Sequence, residues 1–270
     1  MRMVKKIKNI IDFFDVESSY VTEFRRLLHK IKNHDKETEI KSILMTSAML
    51  SEGKSTICSF LGLTSSRLKG LKTLILDSDL RRPSIDKFFN ITNHPGLMEI
   101  LVDGYNPKDA ICKTGIDKLD ILTSGRRCFN PSEVFDADAI GNIVDEMKFY
   151  YDLILIDSPP LLPVSDPMML IPKVDGVLLV IKAGATQKEV VQRAVDIVSA
   201  DKNKIIGVVL NNLTHSLPYY YDYNYYHYDY QQKPTKKKTS RIDKKKDSSN
   251  YNSKVSSPKS IKNNITPDRK

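Results

Sequence analysis

The sequence has little of what staples or anchors a chain. Its three cysteines, Cys58, Cys112 and Cys128, are odd in number and scattered, and neither they nor the five dispersed histidines show metal-ligand spacing. That argues against a disulfide framework and a zinc module. No stretch approaches the roughly 18 uninterrupted apolar residues of a transmembrane helix. Residues 1–8 are basic, but no apolar signal-peptide core or small-residue cleavage site follows them. These absences together predict a reduced, cytoplasmic setting. With 270 residues, 40% of them apolar, the chain can still bury one sizeable core.

Acidic residues are also scarce, but only in one place. The chain holds 42 Lys/Arg and 33 Asp/Glu, of which 13 and 3 fall in residues 231–270. The remaining 29 basic and 30 acidic residues leave the body at −1, against +10 for the tail. The overall +9 therefore belongs to a tail, and no nucleic-acid partner is expected for the body.

What is present centres on residues 48–56, Ala-Met-Leu-Ser-Glu-Gly-Lys-Ser-Thr. An apolar run, Ile43, Leu44 and Met45, precedes this stretch, and an apolar-periodic run from Ile57 follows it. Strand, loop and helix in that order are the setting a phosphate-binding loop requires. Its backbone N–H groups and the helix N-terminus direct positive partial charge at phosphate oxygens. Ser51, Glu52, Gly53, Lys54, Ser55 and Thr56 are the expected nucleotide-binding residues, with Lys54 on the outer phosphates and the Ser55 hydroxyl on Mg²⁺. Ala48 stands where the motif has its first glycine. A chance Gly-Lys-Ser opening an ordinary helix is the competing reading, and two further stretches count against it.

The apolar run 74–76 ends in Asp77-Ser78-Asp79-Leu80-Arg81-Arg82-Pro83, and the run 153–156 ends in Asp157-Ser158-Pro159-Pro160. Unbroken apolar runs suit strands buried on both faces of a parallel sheet, whose carboxyl ends bind ligands. Carboxylates there suit metal or base chemistry, although Asp is also a common turn residue. Further buried strands are predicted over 119–122, 176–181 and 205–210. Helices are predicted over 16–32, 84–90, 96–102, from 130 towards 149, and over 187–199. This alternation predicts an α/β fold, a mostly parallel sheet with helices on both faces. Asn211, at the end of the last strand, reads equally as a base contact or a turn residue. Glu23 and Arg26 share a face of the 16–32 helix, and by spacing alone they form a local ion pair on a solvated face.

Eight of the 13 tyrosines, Tyr219, Tyr220, Tyr221, Tyr223, Tyr225, Tyr226, Tyr228 and Tyr230, lie within 12 residues. No alternation divides them into buried and exposed faces. They read either as a sticky low-complexity segment or as a row of phenolic hydroxyls presented as substrates. Residues 231–270 are rich in Lys, Ser, Asn and Pro and are expected to be disordered.

The loop 46–56, the Asp77-x-Asp79-x-Arg81-Arg82-Pro83 stretch, the Asp157-x-Pro159-Pro160 stretch and the terminal tyrosines together resemble the bacterial protein-tyrosine kinases (BY-kinases) that regulate capsule and exopolysaccharide synthesis. The likeness is to the stand-alone cytoplasmic type and covers roughly residues 18–230. It implies a P-loop NTPase-like domain over 18–215 behind a lead at 1–17, a tyrosine cluster over 216–230 that is autophosphorylated, and a disordered basic tail over 231–270. It also implies ATP and Mg²⁺ as cofactors, with Ser55, Asp77 and Asp157 organising the metal. Asp79 becomes the acceptor of the tyrosine proton, with Lys54 and Asp77 beside it. Implied partners are a membrane adaptor of the polysaccharide co-polymerase type that recruits and activates the chain at the inner face of the plasma membrane, a tyrosine phosphatase, and further copies in a ring. In the family the ring uses a Glu-x-x-Arg-x-x-Arg helix, matched here by Glu23 and Arg26 but with His29 in the last position. The loop also has Leu50 where the family usually has proline. Two rivals are a partition-type ATPase of the same broad fold, whose extra loop lysine is Met49 here, and an inactive nucleotide-binding scaffold of polysaccharide machinery.

Overall fold

The structure, a computed structural model, describes residues 9–34, 39–200 and 204–212. Seven strands form one sheet: β1 (Ser42–Ser47), β2 (Thr73–Asp77), β3 (Cys112–Lys113), β4 (Leu119–Leu122), β5 (Leu153–Asp157), β6 (Gly176–Lys182) and β7 (Ile205–Asn211). Their order is β3-β4-β2-β5-β1-β6-β7. All neighbours are parallel except the short edge pair β3–β4. The helices are α1 (Ser19–Lys32), α2 (Lys54–Lys69), α3 (Ile85–Phe89), α4 (Leu97–Asp103), α5 (Pro107–Ala110), α6 (Pro131–Val134), α7 (Ala137–Met147), α8 (Asp166–Leu170) and α9 (Lys188–Ser199).

Alternate residues of each strand enter opposite cores. Leu44, Leu74, Leu76, Ile154, Ile156 and Leu179 pack with residues of α4, α7, α8 and α9. Ile43, Met45, Ile75, Leu153, Leu155 and Val180 pack with residues of α1, α2 and α3. Each of these side chains is fully buried, a contribution of about 1.5–3 kcal/mol apiece. Helices on both faces thus explain why these strands read as unbroken apolar runs, as the expected α/β architecture requires.

The local differences have identifiable causes. The helix expected from 130 towards 149 is two helices, because the Asp136 carboxylate accepts the Asp138 and Ala139 N–H groups and starts α7 afresh. In α1 it is Val21 that is buried with Phe24, Leu28 and Ile31, while Tyr20 lies at the edge and meets Phe60 at a ring-centroid separation of 5.5 Å. Of the lead's described residues, Ile10 and Phe14 join the α1–α2 core. The tyrosine cluster, Tyr219 to Tyr230, and the basic tail lie outside the described residues.

Candidate active site

The strand order places the carboxyl ends of β1, β5 and β2 side by side, with Asp77 and Asp157 as register partners. The loop after β1 turns into α2 through Gly53 at φ +91°, a left-handed conformation that favours glycine. A Cβ there would lie 2.2 Å from Asn211 Nδ2, so that side chain would have to move. A cleft of about 220 Å³ opens above the loop, lined by Ser51, Lys54, Thr56, Asp79, Arg82 and Phe88 among others.

Lys54 is the electrostatic centre of the site. Its ammonium donates to Asp79 Oδ2 at 3.0 Å and lies 3.9 Å from Asp157 Oδ1. Burial alone would lower its pKa, but the charges of Asp157 and Asp79 outweigh that and raise it. Asp157 is fully buried, and among the described residues neither of its oxygens has a partner within full hydrogen-bond geometry, the Ser55 hydroxyl being the group that faces it. Burial pushes its carboxyl up, opposed by the facing Lys54 ammonium and Ser55 hydroxyl. Asp77 is pushed up by burial and by Asp157, and both its oxygens are engaged by backbone: Oδ1 accepts Asp79 N–H, and Oδ2 accepts the N–H groups of Ser84 and Ile85.

The arrangement suits Mg²⁺. Two buried carboxylate oxygens without a partner in full hydrogen-bond geometry, beside a hydroxyl, form a hard oxygen corner. Among the described residues no group of three or more His, Cys, Asp or Glu is placed to hold a metal by itself. A cation here would share its coordination with water and nucleotide phosphate, as Mg²⁺ commonly does.

Other expected residues make protein contacts here. The buried Glu52 carboxylate is taken up by protein donors, accepting Met49 N–H at 2.6 Å, Lys182 N–H at 3.3 Å and the Thr186 hydroxyl. Asn211 Nδ2 donates to the Glu52 carbonyl at 2.9 Å, and its Oδ1 accepts Asn212 N–H. Both side chains brace the loop from behind. Glu23 and Arg26 form an ion pair on α1, half-exposed, beside a groove between α1 and β7. Sequence reasoning placed Arg81 in the acidic-strand motif but missed its partners, Asp166 and Ser132.

Tyrosine-protein kinase YwqD of Bacillus subtilis is 31% identical over 218 residues, 81% of this chain and 91% of that protein. Tyrosine-protein kinase CpsD of Streptococcus agalactiae is 31% identical over 78% of this chain and 91% of its own length. The chain belongs to the bacterial tyrosine-protein kinases. It is a protein-tyrosine kinase. Among solved structures, the kinase domain of Escherichia coli tyrosine kinase ETK matches with a TM-score of 0.72 at 28% identity, over 82% of this chain and 88% of that one. The chimerical protein CapA2B2 matches at 0.69 with 32% identity, over 74% and 88%. The septum site-determining protein MinD of Pyrococcus horikoshii, complexed with Mg-ADP, matches at 0.53 with 20% identity, over 62% and 67%, and shares the fold alone. No protein-family model matches the chain. Among the described residues no helix of this kinase is long and apolar enough to cross a membrane.

Proposed function

We propose that this kinase is an ATP- and Mg²⁺-dependent autokinase that phosphorylates the tyrosines of residues 219–230, between subunits, and regulates capsular or exopolysaccharide synthesis. The observation that carries the mechanism is the convergence of Lys54 and Asp79 beside the buried Asp157 carboxylate, at the end of a phosphate loop. Backbone N–H groups of residues 51–56 cradle the phosphates, and Lys54 holds the outer ones. Ser55 and Asp157 would hold Mg²⁺, which neutralises charge on the transferred group. Asp77 supports that set through its backbone hydrogen bonds, which fix the loop carrying Asp79.

Asp79 accepts the proton of the incoming tyrosine. A phenol of pKa about 10 is a weak nucleophile at neutral pH, and a carboxylate at the cleft wall takes its proton as attack on the γ-phosphoryl develops. Little covalent chemistry is asked of the protein, since positioning and charge neutralisation do most of the work. Activation comes from a membrane adaptor of the polysaccharide co-polymerase type, which recruits the chain to the inner face of the plasma membrane, and a tyrosine phosphatase reverses the modification. Subunits assemble through α1, with Glu23 and Arg26 contributing, a reading supported by the half-exposed pair and its adjoining groove.

The test is phosphotyrosine mapping by mass spectrometry after incubation with ATP and Mg²⁺. Wild type and Lys54→Met are compared, each with and without adaptor-bearing membranes. Phosphate on residues 219–230 in wild type alone is the expected result. Equal phosphate in both proteins, or none in wild type even with the adaptor, overturns the autokinase reading.

A further inference from the structure

We propose that Arg81 is a positioning residue for phosphotransfer, acting on the Asp79 carboxylate, with Asp166 and Ser132 as its anchors. Residues 78–84 form the turn between β2 and α3, and Asp79 lies near its start. Arg81 follows two residues later and is held by partners outside the turn. Its Nε donates to Asp166 Oδ2 at 3.0 Å and its Nη2 to Asp166 Oδ1 at 3.2 Å. The same Nη2 donates to Ser132 Oγ at 2.8 Å. Asp166 begins α8 and is 3% exposed, while Ser132 lies on α6, so two separate elements fix one guanidinium.

The link to the site is a single peptide plane. The N–H that Asp79 Oδ1 accepts, at 2.9 Å, is that of Arg82, and it belongs to the peptide joining Arg81 to Arg82. Anchoring the Arg81 side chain therefore restrains the tilt of the donor that orients the carboxylate. Asp77 restrains the turn's other end by accepting from Ser84 and Ile85. A planar fork meeting a buried carboxylate through two nitrogens fixes direction as well as distance, and a lysine in its place would supply only a point charge.

This inference rests on Asp79 being the proton acceptor, and the experiment separates the two. The full chain is assayed with radiolabelled ATP, Mg²⁺ and an added peptide of residues 219–230, nucleotide affinity is measured with a fluorescent ADP analogue, and thermal unfolding is recorded for every variant. Asp166→Asn and Arg81→Lys are each expected to lower kcat about tenfold. The KM for ATP and the affinity for the ADP analogue stay within about twofold, because the phosphate cradle is untouched. Introduced into Asp79→Asn, neither substitution lowers the residual rate further, since the group they orient is already gone. An unchanged kcat in both variants overturns the proposal. So does a loss that multiplies with that of Asp79→Asn, or one that follows nucleotide affinity and unfolding temperature. If Asp79→Asn alone leaves kcat intact, the base assignment fails as well, and that result is read independently of Arg81.

Discussion

Lys54 Nζ donates to Asp79 Oδ2 at 3.0 Å, so the phosphate-binding cation and the proposed base hold one another. On the proposed mechanism, nucleotide phosphate would compete with Asp79 for the same ammonium, and bound ATP would free the carboxylate that the tyrosine then needs. Asp79→Asn is therefore expected to keep or tighten nucleotide affinity while lowering phosphotransfer about 10²–10⁴-fold. Titration with a fluorescent ADP analogue beside a single-turnover assay checks this, and affinity lost in step with rate would refute it.

Asp157 is a charge kept at a cost. Its carboxylate is fully buried with no partner in full hydrogen-bond geometry for either oxygen among the described residues. Asp157→Asn removes that buried charge, so the variant should be more stable by on the order of 1–2 kcal/mol, unfold at a higher temperature and still lose phosphotransfer. Calorimetry without added nucleotide or Mg²⁺ gives the comparison. A lower unfolding temperature would show that the charge is stabilising.

Gly53 and Asn211 are coupled through space. Gly53→Ala introduces a Cβ 2.2 Å from Asn211 Nδ2 at a backbone angle of +91°. It should lower stability by about 1–3 kcal/mol and weaken nucleotide binding. Adding Asn211→Ala removes the clash but leaves the backbone strain, so the double variant should recover only part of the loss. Full recovery, or none, in denaturant unfolding would contradict this division.

Asp175 ties β1 to the start of β6, accepting from Lys148 at 2.9 Å and from the N–H groups of Lys41 and Ser42 at 3.0 and 2.8 Å. Burial acts to raise its pKa, but the Lys148 ammonium and the two amides outweigh burial and hold it below the ordinary 3.8. A depressed carboxylate stabilises the fold above its unfolded pKa, and that stability is lost as pH falls through the folded value. Asp175→Asn should then cost about 1–3 kcal/mol at pH 7, with the deficit shrinking below about pH 4. Unfolding curves across that range test it, with kcat expected to remain at the wild-type level.

Much of this kinase was legible locally. The phosphate loop, the two acidic strand ends and the alternation of strands with helices are patterns within short windows, each imposed by burial on both faces or by a helix N-terminus. Lys54, Asp77, Asp79 and Asp157 were identified on that basis, and the structure brings them together. Gly53 likewise announced a backbone that other residues avoid.

Partnership across the sheet was decided only by the tertiary structure. Nothing near Arg81 in sequence points to Asp166, 85 positions away, nor near Glu52 to Thr186, 134 away. Asn211 could have faced a base or simply a turn, and its place beside Glu52 followed from β7 lying at the end of the order β2-β5-β1-β6-β7. Periodicity records whether a residue is buried, because that depends on its own strand or helix. Which donor meets which buried acceptor depends on how strands are ordered, and that order is set by the packing of the whole chain.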